Sequence, residues 1–174
     1  TCNFDSPEDA SVWTILNGNQ TNKWYYGSAE NSSLSSNDHT SGAMYISDNQ
    51  GVSNHYDNAS TSNVYFTRYI QFGEGAEFKL SFDWKGIAEG NSDYLRVFLL
   101  PTTLELSNNT FPTTGEITEK LSGSNSWRRE SVILSGDYAN SVYKLVFFWR
   151  NDYAVGEQPP AAVDNISIET INCG

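Results

Sequence analysis

Basic residues are scarce in this chain, with ten lysines and arginines against 21 aspartates and glutamates and a net charge of -11. That balance repels nucleic acid and anionic membranes and favours cations or neutral partners. No run approaches the ~20 apolar residues of a membrane span, so insertion by this segment is not expected. A basic stretch followed by an apolar one, the mark of a secretory signal, is also missing. Only two cysteines and two histidines are present. His39 and His55 stand in polar stretches without metal-ligand spacing, which argues against zinc and reads as solvated surface. The sequence has no Gly-x-Ser-x-Gly elbow, no His-Glu-x-x-His, no phosphate-binding glycine loop and no Cys/His pair free for nucleophilic work.

Helical periodicity is absent too, and what stands in its place is a series of short runs rich in β-branched and aromatic residues. Strands are expected over Lys23–Gly27, Ala43–Ser47, Val64–Phe72, Phe78–Ile87, Tyr94–Leu100, Arg128–Leu134, Val142–Arg150 and Val163–Thr170, with Asn/Gly/Ser/Asp turns between them. The run Leu145-Val146-Phe147-Phe148-Trp149 is apolar on both faces, as a central strand of packed sheets is. Eight or more antiparallel strands with long loops give an all-β chain: a two-sheet antiparallel β-sandwich of jelly-roll type. At 174 residues, 38% hydrophobic and 14% aromatic, residues 1–174 fit one domain with a sizeable core. The start at Thr1 without methionine and the end at Gly174 are read as bounds of a fragment of a longer multidomain protein.

Cys2 and Cys173 bracket the chain. If the first and last strands lie side by side, a disulfide between them clamps the seam, closing a loop for which the loop-entropy model gives ~3–5 kcal/mol. The other reading is two reduced thiols, which are hard to bury so close to a terminus. The disulfide implies an oxidising compartment.

The order of blocks along the chain carries a resemblance. Phe4-Asp5, Trp13-Thr14-Ile15, Trp24, Gly42-x-x-Tyr45-Ile46-Ser47, Leu80-Ser81-Phe82-Asp83-Trp84-Lys85, Asp93-Tyr94-Leu95-Arg96-Val97 and Phe148-Trp149-Arg150-Asn151-Asp152-Tyr153-x-x-Gly156-x-x-Pro159-Pro160-Ala161-Ala162-Val163-Asp164-Asn165-Ile166 follow one another. In this order they resemble the cleaved-adhesin and choice-of-anchor J domains of secreted Bacteroidetes proteins, such as the adhesin modules attached to gingipains, and the resemblance implies a MAM-like, galactose-binding-like outline. The resemblance runs from Cys2 to Cys173. It implies a non-catalytic, calcium-stabilised jelly roll in a secreted or cell-surface protein, beside neighbouring domains, binding a host or matrix protein or a glycan.

Calcium takes carboxylate and backbone oxygens. Asp5 and Asp164, on the proposed neighbouring end strands, supply such a pair, and the resemblance implies metal ligands at these two positions. Asp48 and Asn49, in the oxygen-rich turn after Tyr45-Ile46-Ser47, are candidates to complete the shell. The alternative is that Asp5 caps a turn and Asp164 accepts backbone hydrogen bonds.

For glycan contact the tools are aromatic. Trp24, Tyr25 and Tyr26 are consecutive, so on a strand at least one points away from the core. Trp24, Tyr26 and Tyr153 are the candidate binding aromatics, with Tyr56 and Trp127 also at loop edges; flat aromatic faces stack on sugar rings, and the alternative, favoured for most of them, is packing into the core. The long polar stretches Glu30–Ser41 and Ser53–Asn63 read equally as binding loops or as solvated, mobile connections. Two other functions remain in view. One is a carbohydrate-binding module of a glycan-degrading enzyme. The other is a hydrolase drawing paired acids from Asp83, Glu89 and Asp93, with Asp152 and Glu157. Against the hydrolase, Asp83 alternates with core-facing Leu80, Phe82 and Trp84 and is expected to pair across the sheet with Arg150.

Overall fold

The computed structural model describes residues 11–34 and 42–172. Nine strands are found there: β1 (Thr14–Leu16), β2 (Lys23–Gly27), β3 (Ala43–Ser47), β4 (Ser62–Gln71), β5 (Glu77–Gly86), β6 (Tyr94–Pro101), β7 (Ser124–Ser135), β8 (Val142–Asn151) and β9 (Ala162–Ile171). They form two antiparallel sheets, one of four strands in the order β1-β4-β8-β6 and one of five in the order β2-β3-β9-β5-β7. Each expected run is a strand. β1 is additional: Thr14 and Ile15 are both exposed, so this short edge strand has no inside-outside alternation to announce it.

Phe78, Leu80, Phe82 and Trp84 of β5 point inward, opposite Leu145, Phe147 and Trp149 of β8, and form one core with Trp13, Trp24 and Phe66. Aromatic contacts knit it: Phe147 stacks on Phe66 at 4.7 Å and takes Phe82 edge-on at 5.3 Å. The second apolar face of β8 has its own cover. Val146 and Phe148 join Tyr65, Tyr94, Phe98 and Leu100 in a second cluster on the outside of the four-stranded sheet. The chain between β6 and β7 lies across it: Phe111 stacks on Phe148 at 5.9 Å, and the Tyr65 hydroxyl donates to the carbonyls of Ser107 and Thr110. A strand buried on both sides is therefore apolar on both sides.

The pairing expected between Asp83 and Arg150 is not formed. β5 and β8 belong to different sheets. Asp83 lies on the outer face of the five-stranded sheet, where Arg129 of the adjacent β7 reaches it with Nη1 3.0 Å from Oδ1. Arg150 donates instead to the Ser92 carbonyl and lies over the Phe111 ring. Lys85 pairs with Glu30 at 2.7 Å. No helix among the described residues is long and apolar enough to cross a membrane.

Candidate functional site

At one end of the sandwich the connections β1–β2, β3–β4, β5–β6 and β8–β9 come together, because strands running antiparallel turn at the same end. Polar side chains, rather than regular structure, hold these loops to one another. Asn22 donates to the Asp57 carbonyl and to Oδ1 of Asn151, which also accepts the Trp149 indole N–H at 2.9 Å. Gln158 bonds the backbone of Tyr56 twice, accepting its N–H and donating to its carbonyl. Asn58 donates to the Gly156 carbonyl, and Ala88 and Glu157 exchange backbone bonds. Loops tied this densely form a fixed surface.

Three carboxylates meet within this frame. The Glu89 N–H donates to the Asp93 carbonyl and closes the tight turn between β5 and β6, and Asp152 follows β8. One ligand oxygen from each of Glu89, Asp93 and Asp152 can be chosen such that all lie within 4.8 Å of one another. Asp93 is wholly buried. Its Oδ2 accepts the Tyr56 hydroxyl at 2.6 Å and its Oδ1 accepts the Asp152 N–H at 2.9 Å. Burial pushes the Asp93 carboxyl up to about 6, and the negative charges of Asp152 and Glu89 push the same way, against the two hydrogen bonds that favour its ionised form. The Tyr56 phenol is raised as well, first by burial and then by its bond to Asp93. Gly156 crosses directly above this pair: a Cβ there would fall 2.6 Å from Asp93 Oδ2 and closer still to the Tyr56 hydroxyl. The glycine of the Asp152-Tyr153-x-x-Gly156 motif thus serves close approach.

This grouping sorts the five acids considered for hydrolysis. Glu89, Asp93 and Asp152 converge, whereas Asp83 is held in the sheet and Glu157 contributes its backbone. A glycosidase needs its two carboxyl groups roughly 5–9.5 Å apart, on either side of an accessible bond. Here the acids crowd together and the central one has no exposed surface.

Asp164 lies on β9, in register with Asp83 of β5, and both are wholly buried. Asp164 Oδ2 accepts the Ser32 N–H at 2.9 Å, and Oδ1 accepts the N–H of Asn165. Asp83 Oδ2 accepts the Ser32 hydroxyl and the Asn165 side-chain amide. Ser32, in the Glu30–Ser41 stretch, covers both acids, which its position in a polar loop gave no reason to expect. Asp5, Cys2, Cys173 and His39 lie outside the described residues, as does the rest of that stretch from 35 to 41.

Asp48 and Asn49 are not brought to Asp164. Met44 of β3 pairs with Val163, so Asp164 is level with Ala43, and Asp48 stands five residues further along, roughly 16–17 Å at strand rise. Both are engaged locally: Asp48 meets His55 Nδ1 at 2.9 Å, and Asn49 bonds Ser47 and Ser53. His55 is thus paired rather than simply solvated.

Of the three binding aromatics, Trp24 is inside the core, 1% exposed, with its indole N–H on the Val64 carbonyl, and presents no face to a ligand. Tyr26 packs against the same core. Of the consecutive trio, Tyr25 takes the outer face of β2, beside Gly51. Tyr56 is buried on Asp93, and Trp127 packs on Ala43, Tyr45 and Ala162. Tyr153 alone of the expected three stands free, 76% exposed, next to Asp152 and followed by exposed Val155.

No protein-family model matches the chain, and no curated protein does. Solved structures match it by fold. The K1 cleaved adhesin domain of Lys-gingipain from Porphyromonas gingivalis W83 is similar at a TM-score of 0.57 and 14% identity, over 97% of this chain and 95% of that one. The CBM22-1 xylan-binding domain of Paenibacillus barcinonensis Xyn10C gives 0.57 at 10% identity, over 99% and 94%. The enzymatically active domain of bacteriophage CBA120 tailspike protein 4 gives 0.57 at 15% identity over 97% of this chain, which spans only 20% of that protein's length. The chain shares the β-sandwich of adhesin and carbohydrate-binding domains.

Proposed function

We propose that this chain is a non-catalytic, extracellular binding module that attaches its parent protein to glycans through the loop end of the sandwich, with Tyr153 as the stacking platform. The observation that carries the reading is Tyr153 itself: a tyrosine 76% exposed on a loop tied down just beyond it, by Asn58 on the Gly156 carbonyl, by Ala88 on the Glu157 backbone and by the Gln158 side chain on Tyr56. A flat apolar face presented on a fixed loop costs little ordering entropy when a sugar ring stacks on it, and neighbouring carboxylates and amides can take the hydroxyls. Similar folds are used by a xylan-binding domain and by a gingipain adhesin domain, in line with this reading. An extracellular setting fits the acidic, lysine-poor surface.

Calcium is the second part of the proposal. The donor set at Asp164 fits a hard cation: its carboxylate and that of Asp83 are adjacent and buried, with the hydroxyl of Ser32 beside them. Asp164 would hold the ion, with Asp5 as its expected partner, while Arg129 balances Asp83. Bound there, calcium would supply charge neutralisation that fastens the chain over the outer face of the five-stranded sheet.

The test is a glycan array followed by calorimetric titration of the best oligosaccharide. Binding by the parent is expected to weaken roughly tenfold in Tyr153→Ala, the loss of about 1.4 kcal/mol of stacking, with the unfolding temperature unchanged. An array without a single glycan ligand, or equal affinities for parent and variant, would overturn the reading.

A further inference from the structure

The three carboxylates at the loop end present a charge problem. At neutral pH they bring three negative groups to one spot, around an aspartate with no exposed surface. Among the described residues, no lysine, arginine or histidine nitrogen forms an ion pair with any of them. The nearby cations are spent on backbone: Arg150 on the Ser92 carbonyl and Lys120 on that of Asn91. A buried charge ordinarily has a partner, because desolvation without one is expensive.

A second observation concerns Glu89, whose side chain is part-exposed overall. Oε2 of Glu89 is shut off from solvent and receives no hydrogen bond. Buried acceptors in folded proteins nearly always find a donor or an ion.

From these features we infer a calcium site formed by Glu89, Asp93 and Asp152, distinct from that proposed at Asp164. Calcium prefers oxygen ligands roughly 2.3–2.6 Å away and accepts irregular shells. Oxygens within 4.8 Å of one another fall inside the span that ligands of one such ion can have. The all-oxygen set excludes the softer metals, which seek imidazole or thiolate. Each Asp93 oxygen already accepts one hydrogen bond and keeps a lone pair for the ion, so Tyr56 and the Asp152 N–H act as positioning groups. The ion joins the β5–β6 turn to the start of the loop that carries Tyr153. Ion binding itself does not depend on glycan recognition; any effect on sugar affinity rests on the reading above.

Terbium, a luminescent stand-in for calcium, tests the site in the intact chain. Tyr56 touches Asp93, and the Trp149 ring lies 5.2 Å from the Tyr56 ring, so both are built-in sensitisers. Tb³⁺ emission excited through the aromatics should rise on titration and be displaced by Ca²⁺. In Glu89→Gln and Asp152→Asn the calcium affinity of this site should fall at least tenfold, while Asp164→Asn should leave it unchanged. Amide NMR of the parent provides a readout free of substitutions, with calcium-induced shifts expected at residues 88–93, Tyr56 and 152–157. The proposal is overturned if the parent takes up neither Tb³⁺ nor millimolar Ca²⁺, if Glu89→Gln and Asp152→Asn titrate like the parent, or if the calcium shifts miss these residues. Unchanged calcium binding in Tyr153→Ala, together with no glycan binding, would remove the glycan reading and leave the metal site standing.

Discussion

Asp83 and Asp93 are both wholly buried aspartates, and the protein treats them differently. Asp83 sits in the middle of a sheet, where every neighbour is fixed by register: Arg129 opposite it on β7, Asp164 opposite it on β9, and Ser32 and Asn165 donating from above. Asp93 sits where a turn meets a loop, with a hydroxyl and one N–H for donors and two more carboxylates for company. A sheet can bring a guanidinium to a carboxylate by pairing two strands. A loop end gathers whatever the turns deliver, here acids, and leaves neutralisation to solvent ions. The first arrangement is a structural anchor, and the second is available for a ligand.

The comparison is broken most severely at Arg129. Replacing it by methionine keeps the side-chain stem and removes the cation from a carboxylate with no exposed surface. Breaking such a buried pair from one side costs about 3 kcal/mol, at the lower end of the usual range because Arg129 is 38% exposed. Chemical denaturation should show this loss, and adding Asp83→Asn in the same chain should recover much of it. A loss below about 1 kcal/mol would mean that the serine, the amide and their surroundings suffice for Asp83, as the neutral donors must for Asp93.

Asp93 offers a smaller effect of opposite origin. Its folded-state value of about 6 lies above the ordinary 3.8, so the fold favours the protonated form. Its contribution to stability is fully present below about pH 4 and is lost as pH rises through 6. By linkage this amounts to about 2–3 kcal/mol between pH 4 and 7 in EDTA. Other acids contribute slopes of their own, so the readout is the difference between parent and Asp93→Asn, in which this downward slope should vanish. Parallel pH profiles would show that Asp93 is better solvated than its burial indicates.

Much of this contrast was legible in the sequence, and its limits are physical. Runs rich in β-branched and aromatic residues, alternating where one face is buried and continuous where both are, marked each strand but β1. The same logic explains why Asp83 was seen to need a basic partner and why the wrong one was expected: alternation gives the face of a strand, while sheet membership is decided by pairing over long separations. Of Trp24, Tyr25 and Tyr26, period two required one outward ring without saying that it is Tyr25. Asp93 and Asp152 stand 59 positions apart and meet through a single backbone N–H. No local pattern encodes that meeting, nor the burial of Tyr56 between two loops. Gly156 was visible as part of a motif, but its reason, the atoms pressed against its Cα, exists only in the folded chain.

That glycine provides the finest probe of the difference between the two aspartates. A methyl group at position 156 would meet Asp93 Oδ2 and the Tyr56 hydroxyl at separations that no real Cβ tolerates. Neither contact can yield freely, since the Tyr56 ring packs edge-on against Trp149 and the Asp93 carboxylate is held at both oxygens. Gly156→Ala is therefore expected to push the 152–157 segment away from the β5–β6 turn, at about 1–2 kcal/mol of overpacking. The two regions should respond separately: amide exchange should speed up at Asp93 and Asp152, while Asp83 and Asp164 in the sheet keep their protection. Uniform loosening of both would show that the loop end is bound into the stability of the sheet. Confined loosening would mark it as a separately adjustable surface, which a ligand-binding end on a rigid sandwich requires.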